Sequence, residues 1–269
     1  MRWAFLADVH GNLEALRAVL RDLEDWPDHG LICAGDIVGY GPDPEACLEL
    51  LGERAATCVG GNHEAMVLGR IGFGRCVYAG SLAAVWTRAH LPRWALQRLA
   101  ALPVVAQPSP EIVVCHAVAD DLERYVRSKE DAEAALASAS RRFPDAELVV
   151  SGHTHFAAFR GGAGTFRLAS AGAAERVAPG RLQLVNPGSV GQPRDGIPVA
   201  RYARYDSVTR TVSWHAVGYD AAPTLAKLRK LRLVARVCYS FPQPWLERKL
   251  ERVRTRWARA RFGRLPALS

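Results

Sequence analysis

The chain has 269 residues, 49% hydrophobic and 23% charged, with 35 Lys+Arg against 27 Asp+Glu for a formal net charge of +8. This balance excludes a disordered, collagen-like or low-complexity chain, and no apolar run reaches the roughly 18–20 residues of a membrane span. The charge is uneven: residues 225–269 hold 13 basic and 2 acidic residues, net +11, while residues 1–224 are net −3, so the excess that suggests nucleic acid lies in a tail and not in the body.

RWAFLAD (2–8) reads as a buried strand, followed by a turn-like HGN. It reaches Asp8 and His10 too soon for the apolar segment of a signal peptide. Six cysteines, at 33, 47, 58, 76, 115 and 238, form no C-x-x-C pair. They read as reduced, mostly buried thiols, and with the missing signal peptide they predict a cytoplasmic protein. Leu13, Leu16, Val19, Leu20 and Leu23 recur at helical spacing, with Asn12 as cap. LICAGD (31–36) is a second strand, and Asp43-Pro44 opens a second helix. AATCVGGNHE (55–64) is a third strand running into a glycine turn. This β-α-β-α-β rhythm predicts a partly parallel sheet with helices on it.

Residues 65–102 read as mostly helical with a glycine-rich break at 69–74. EIVVCH (111–116) is a strand, 128–142 an Ala-rich helix, and ELVVSGHTH (147–155) another strand entering a glycine turn. From 156 the runs become short and partly alternating: TFRLASAG, RLQLVNPG, VARYARYD and TVSWHAVGY, which predict an antiparallel sheet. The polar residues concentrate where strands end, at Asp8 and His10, Asp36, Asn62-His63-Glu64, His116, and His153 and His155. Ligand sites of open α/β sheets gather outside the carboxyl ends of strands. These residues are therefore placed to converge, and their N/O donor set without thiolates suits Mn²⁺, Fe, Ni²⁺ or Zn²⁺ in a two-metal hydrolase. His29, His90 and His215 lie outside the set and read as structural or surface residues.

The ordered blocks DVH, GDIVGYGPDP, GGNHE, CH and GHTH, with NPGSVGQPRDGIP after them, resemble the calcineurin-like metallophosphoesterase superfamily, in its small bacterial and archaeal phosphodiesterase branch. The resemblance covers residues 1–220. It implies an α/β fold: a four-layer α/β/β/α sandwich of two mixed sheets with flanking helices, to which this chain adds a basic C-terminal helical extension, 221–269. It also implies a dinuclear centre. Asp8, His10, Asp36 and His155 would hold one metal, and Asp36 would bridge to a second completed by Asn62, His116 and His153. His63 would be the catalytic proton donor or charge stabiliser. Manganese is the expected metal, with Fe, Ni²⁺ or Zn²⁺ as alternatives.

The implied reaction is hydrolysis of a small phosphodiester, a cyclic nucleotide being one candidate, by in-line attack of a metal-bridging hydroxide. A dinucleoside polyphosphate hydrolase or a phosphoprotein phosphatase is the alternative, ahead of a nuclease or a non-catalytic scaffold. Asn12 either touches a phosphoryl oxygen or caps its helix. Arg194 either binds the substrate anion or forms a salt bridge, with Asp195 or elsewhere. Glu64 is expected to support His63 or the backbone, and Tyr40 to line the site or pack a loop. Two departures from the branch, Ala117 after His116 and Phe156-Ala157 after GHTH, bear on access and substrate shape.

PWLERKLERVRTRWARARF (244–262) places Leu246, Leu250, Val253 and Trp257 on one helical face among arginines. Four readings follow. The stripe packs on the domain, meets an anionic membrane surface as a peripheral attachment, contacts nucleic acid, or self-associates.

Overall fold

The computed structural model describes residues 1–240 and 245–263, with the side chains of 245–248, 258, 259 and 262 outside the description. Two six-stranded mixed sheets stack face to face. The first has β1 (Arg2–Leu6), β2 (His29–Cys33), β3 (Thr57–Cys58), β9 (Ala174–Arg176), β11 (Val199–Asp206) and β12 (Thr211–Gly218), in the order β3-β2-β1-β11-β12-β9. The second has β4 (Val105–Ser109), β5 (Ile112–Cys115), β6 (Leu148–Val150), β7 (Ala158–Arg160), β8 (Phe166–Leu168) and β10 (Gln183–Asn186), in the order β4-β5-β6-β10-β7-β8. Among the described residues the α-helices are α1 (Leu13–Asp22), α2 (Pro44–Glu53), α3 (Asn62–Val67), α4 (Tyr78–His90), α5 (Arg93–Ala101), α6 (Lys129–Ser140), α7 (Ala222–Lys230) and α8 (Trp245–Phe262).

The alternation within strands explains the layers. In β1, Ala4 and Leu6 face a core shared with α1, α2 and α5, while Trp3 and Phe5 face the second sheet. Side chains of opposite parity point to opposite faces, so a strand covered on both sides is apolar throughout. The inter-sheet core joins Phe5, Ile32, Tyr205 and Trp214 to Ile112, Val114, Leu148 and Val185. A third core seats Ala132, Ala135, Leu136 and Ala139 of α6 on Cys115, Val149 and Leu184. Three cores between four layers make the α/β/β/α sandwich. Truncating a central residue such as Phe5 to alanine is expected to cost about 3–5 kcal/mol.

The second half departs from the sequence expectation. Its short strands do not form one antiparallel sheet: β11, β12 and β9 join the first sheet, and β7, β8 and β10 the second, where β10 runs parallel to β6. Alternation reports which residues face a core but not which sheet receives the strand. β4, β7 and β9 escaped the sequence reading, because Pro108 and charged residues interrupt such short runs.

After Gly218 the chain crosses back. Lys227 Nζ on α7 lies 2.8 Å from Glu14 Oε1 and 2.9 Å from Asp43 Oδ2. α8 packs along α4, with Thr255 Oγ1 accepting from Tyr78 N–H at 3.0 Å. The described members of the apolar stripe are only partly covered by the domain: Leu250, Val253 and Trp257 are 46%, 62% and 51% exposed. The Leu246 side chain lies outside the described residues. Among the described residues, no helix is long and apolar enough to cross a membrane.

Candidate metal centre and active-site pocket

β1, β2 and β3 are mutually parallel, as are β5, β6 and β10. Their carboxyl ends gather the polar residues at one edge. Asp8 follows β1, Asp36 follows β2, Asn62 and His63 follow β3, His116 follows β5, and His153 and His155 follow β6. The chain turns sharply at each end. Asp8, His10, Asp36, Tyr40, His153 and His155 all have φ between 51° and 65°. Each such left-handed non-glycine residue costs on the order of 1 kcal/mol or more, and such strain clusters at functional sites.

Two donor groups result, Asp8 with His10 and His155, and Asp36 with His116 and His153, the ligand atoms within each lying within 4.8 Å of one another. Asp36 Oδ2 connects them, 3.7 Å from His10 Nε2 and 3.2 Å from His116 Nε2. Asn62 Oδ1 is 3.0 Å from His116 Nε2. His10 Nδ1 donates to Val38 O at 3.1 Å, His116 Nδ1 to Ala34 O at 2.8 Å, and His155 Nδ1 to Gln192 O at 2.5 Å. Those bonds fix the tautomer and leave Nε2 of each ring as a lone-pair donor, the usual arrangement around a metal-ligating histidine.

The donors fit a cation. His10 Nε2 and His155 Nε2 stand 3.2 Å apart, as do His116 Nε2 and His153 Nδ1. Lone pairs that face each other so closely need a shared proton or a shared cation. Asp8 Oδ2 is buried without a hydrogen-bond partner, and a buried unpaired carboxylate oxygen is costly. Gly61 is required beside this group, since a Cβ there would lie 2.2 Å from Asp36 Oδ1.

The electrostatics agree. Burial pushes the Asp8 carboxyl up to about 7. Burial also acts to raise Asp36, but the attraction of His116 and His63 outweighs it and holds that carboxyl well below the usual range. Burial opposes charge on His116, yet Asp36 raises it to about 9. Burial drives His10, His153 and His155 well below the ordinary imidazole value. Without a cation the site therefore keeps protons on Asp8 and His116 near neutrality.

A small pocket of about 40 Å³ opens on this edge, lined by Asp36, Asn62, His63, His153, His155 and Arg194, and also by Tyr40, Arg75, Cys76, Val77, Glu123 and Tyr125. His63 lies with His10 and Asp36 in a third close group, and its backbone N–H donates to Asp36 Oδ1 at 2.9 Å. Its Nδ1 is buried without a partner, and the Tyr40 ring packs 4.7 Å from its ring. Burial lowers His63 to about 4. Glu64 accepts N–H bonds from Asp36, Val38 and Gly61 at 2.9, 3.0 and 2.6 Å, so it braces the backbone and does not contact His63.

Arg194 faces the pocket. Its guanidinium lies 5.8 Å over the Tyr125 ring and donates to Tyr125 Oη at 3.4 Å, whereas Asp195 pairs with Arg201. Asn12 is not among the residues that line this pocket. Its Oδ1 caps α1 at Ala15 N and accepts from Thr224 Oγ1, and its Nδ2 donates to Gly191 O and Tyr219 Oη. Sequence reasoning missed Arg75, Glu123 and Tyr125. They sit in connecting loops outside every motif, and only the fold brings them to the edge.

The comparisons agree with the fold. The model of the calcineurin-like phosphoesterase superfamily domain matches residues 1–210. An uncharacterized protein, MJ0912, of Methanocaldococcus jannaschii is 31% identical over 233 residues, 86% of this chain and 93% of that one. The crystal structure of a metallophosphoesterase from Sphaerobacter thermophilus has a TM-score of 0.73 at 32% identity, covering 87% of this chain and 95% of that chain. A hypothetical protein, PH1004, of Pyrococcus horikoshii OT3 shares the fold, with a TM-score of 0.66 at 17% identity over 86% and 94% of the two chains. With a family model matching most of its length, this chain belongs to the calcineurin-like phosphoesterase superfamily.

Proposed function

We propose that this chain is a dinuclear, manganese-preferring phosphodiesterase acting on a small phosphodiester. Asp8, His10 and His155 would hold one cation and Asn62, His116 and His153 the other, with Asp36 shared. The observation that carries the reading is the pair of donor groups joined through Asp36 Oδ2 and opening on the same pocket as His63 and Arg194. When bound, two divalent ions supply Lewis acidity and an activated water.

The chain's own residues supply the rest. Arg194 binds a phosphoryl oxygen through its planar guanidinium, held in aim by Tyr125. The Asn62 amide adds a neutral donor to the charge that develops on phosphorus. His63 Nδ1 is buried without a hydrogen-bond partner, and in this reading the ring carries its proton on Nε2. From there it donates to the leaving oxygen as the ester bond breaks. A full negative charge on the substrate favours this electropositive pocket over one built for neutral esters.

The test is His63→Ala, with metal content and hydrolysis of bis(p-nitrophenyl) phosphate measured on the same preparation. The expected result is unchanged metal content with kcat lowered by about 10²–10⁴. Wild-type turnover in the variant would remove His63 from the mechanism.

A further inference from the structure

The extension touches the pocket's surroundings at two separate places. Residues 239 and 240 add a short antiparallel rung to the loop that carries Arg194. Tyr239 N–H donates to Pro193 O at 2.9 Å, Gly196 N–H donates to Tyr239 O at 2.8 Å, and Asp195 bridges to Ser240. Gly196 has φ +82°, and a Cβ there would lie 2.6 Å from Ser240 Oγ, so this approach requires glycine. The Tyr239 ring stands 6.5 Å from the ring of pocket-lining Tyr40, and the Arg236 guanidinium lies 4.9 Å over the Tyr239 ring.

The second contact is made by α8 on the loop that supplies Arg75, Cys76 and Val77 to the lining. Phe73 N–H, at the start of that loop, donates to Gly263 O at 3.1 Å. Tyr78 N–H, at its end, donates to Thr255 Oγ1 at 3.0 Å, and the Tyr78 and Trp257 rings are 6.2 Å apart. The family match stops at residue 210, so both clasps come from sequence outside the shared domain. The pocket they border holds about 40 Å³ of free volume, well below the roughly 300–1,000 Å³ typical of small-ligand sites. A wall that holds two lining loops fixes how far they can part.

We propose that residues 239–240 and 245–263 form a substrate-selecting wall of the active site, with Tyr239 as a specificity-determining side chain that limits the size of the substituent left on phosphorus. This rests on the phosphodiesterase reading above. Tyr239 stands behind the pocket-lining Tyr40, so shortening it gives that ring room to withdraw, whereas Thr255 acts only by holding Tyr78.

The test compares two diesters that share a p-nitrophenolate leaving group, methyl p-nitrophenyl phosphate and bis(p-nitrophenyl) phosphate, on the full-length, manganese-loaded chain. Tyr239→Ala is expected to raise the ratio of kcat/KM for the bulky over the small diester about tenfold, a magnitude ordinary for one reshaped pocket contact. Tyr239→Phe keeps the ring and the wild-type ratio. Thr255→Val is expected to raise the ratio by roughly threefold through looser support of the 73–78 loop. Affinity for inorganic phosphate, measured by calorimetry, stays at the wild-type value in all three.

A folded Tyr239→Ala with its ratio within twofold of wild type overturns the proposal. So does a loss of phosphate affinity in step with both activities, which marks a general disturbance of the centre. If Tyr239→Ala does not fold, an unchanged ratio in Thr255→Val overturns it. A wild-type chain that hydrolyses neither diester overturns the phosphodiesterase reading and this one with it. Hydrolysis of both with unchanged ratios overturns the wall alone.

Discussion

At the strand edge, Asp8, His10, Asp36, His116 and His155 are each at most 2% exposed. In the extension, the net +11 of residues 225–269 is carried largely on exposed side chains such as Arg252, Arg254 and Arg256. Charge at the edge is dehydrated and pressed together, so single protons decide its energy. Charge in the extension is solvated and screened, so it contributes little per residue. The first region makes sense only with a countercharge, and the second is stable without one. The difference teaches where substitutions should act on chemistry and where only on assembly.

The largest effect tests the shared carboxylate. Asp36→Asn keeps the shape but removes the charge common to both donor groups. It is expected to reduce kcat by on the order of 10³ or more and to lower metal content below that of wild type. Steady-state kinetics beside elemental analysis measure both. Full metal occupancy with full turnover would break the view of Asp36 as the hinge of the site.

A smaller effect concerns stability. Saturating cation is expected to stabilise the fold by about 3–4 kcal/mol at 100 to 1,000 times its Kd, so chelation lowers the melting temperature. The sign with pH follows from the raised groups. Asp8 at about 7 and His116 at about 9 hold protons in the folded, metal-free chain that the unfolded chain has released. Below about pH 6.5 the depressed His10, His63, His153 and His155 act in the opposite sense, so the raised groups dominate only above about pH 7.5, where stability of the metal-free protein falls as pH rises to about 9. Cation binding near pH 7.5 must displace the His116 proton, about one per chain. Melting curves of chelated protein from pH 7.5 to 9, and calorimetry in buffers of different ionisation enthalpy, read these two outcomes. A melting temperature of the chelated protein that rises across this range would contradict the reading.

The smallest effect belongs to the extension. Lys227 pairs with Glu14 and Asp43 at a half-exposed surface. Glu14, where burial acts to raise the carboxyl, is nevertheless held below its ordinary value by the bonds from Lys227 and Thr224. Its contribution is present above the unfolded carboxylate value and is lost as pH falls through the lowered one. Lys227→Ala is expected to lower stability by about 0.5–1 kcal/mol, less at high salt, in chemical denaturation. A loss several times larger would show that α7 is an integral part of the domain.

The two regions also differ in how far their sequence announced them. Asp8, His10, Asp36, Asn62, His63, His116, His153 and His155 sit at strand ends beside glycines, a pattern visible in one dimension because parallel strands place their carboxyl ends together. The first three strands and six helices were equally legible, since their apolar periodicity is strong. What remained hidden depends on three-dimensional partners. Alternation in the second half could not say which sheet takes each strand. Arg75, Glu123 and Tyr125 arrive from loops with no local signature. Asn12 carries the same side chain whether it caps a helix or touches a phosphate, and only Ala15, Gly191, Tyr219 and Thr224 around it decide. The stripe of α8 is regular in sequence, yet Val253 stays 62% exposed, because periodicity marks an apolar face without naming what covers it.

The most direct test of the two-metal account is elemental analysis of the purified full-length chain, paired with hydrolysis of bis(p-nitrophenyl) phosphate before chelation, after it, and after manganese is restored. The account predicts about two divalent ions per chain, activity lost on their removal, and activity regained on their return. Hydrolysis that survives complete removal of metal, or a chain loaded with two ions that hydrolyses nothing, would contradict it.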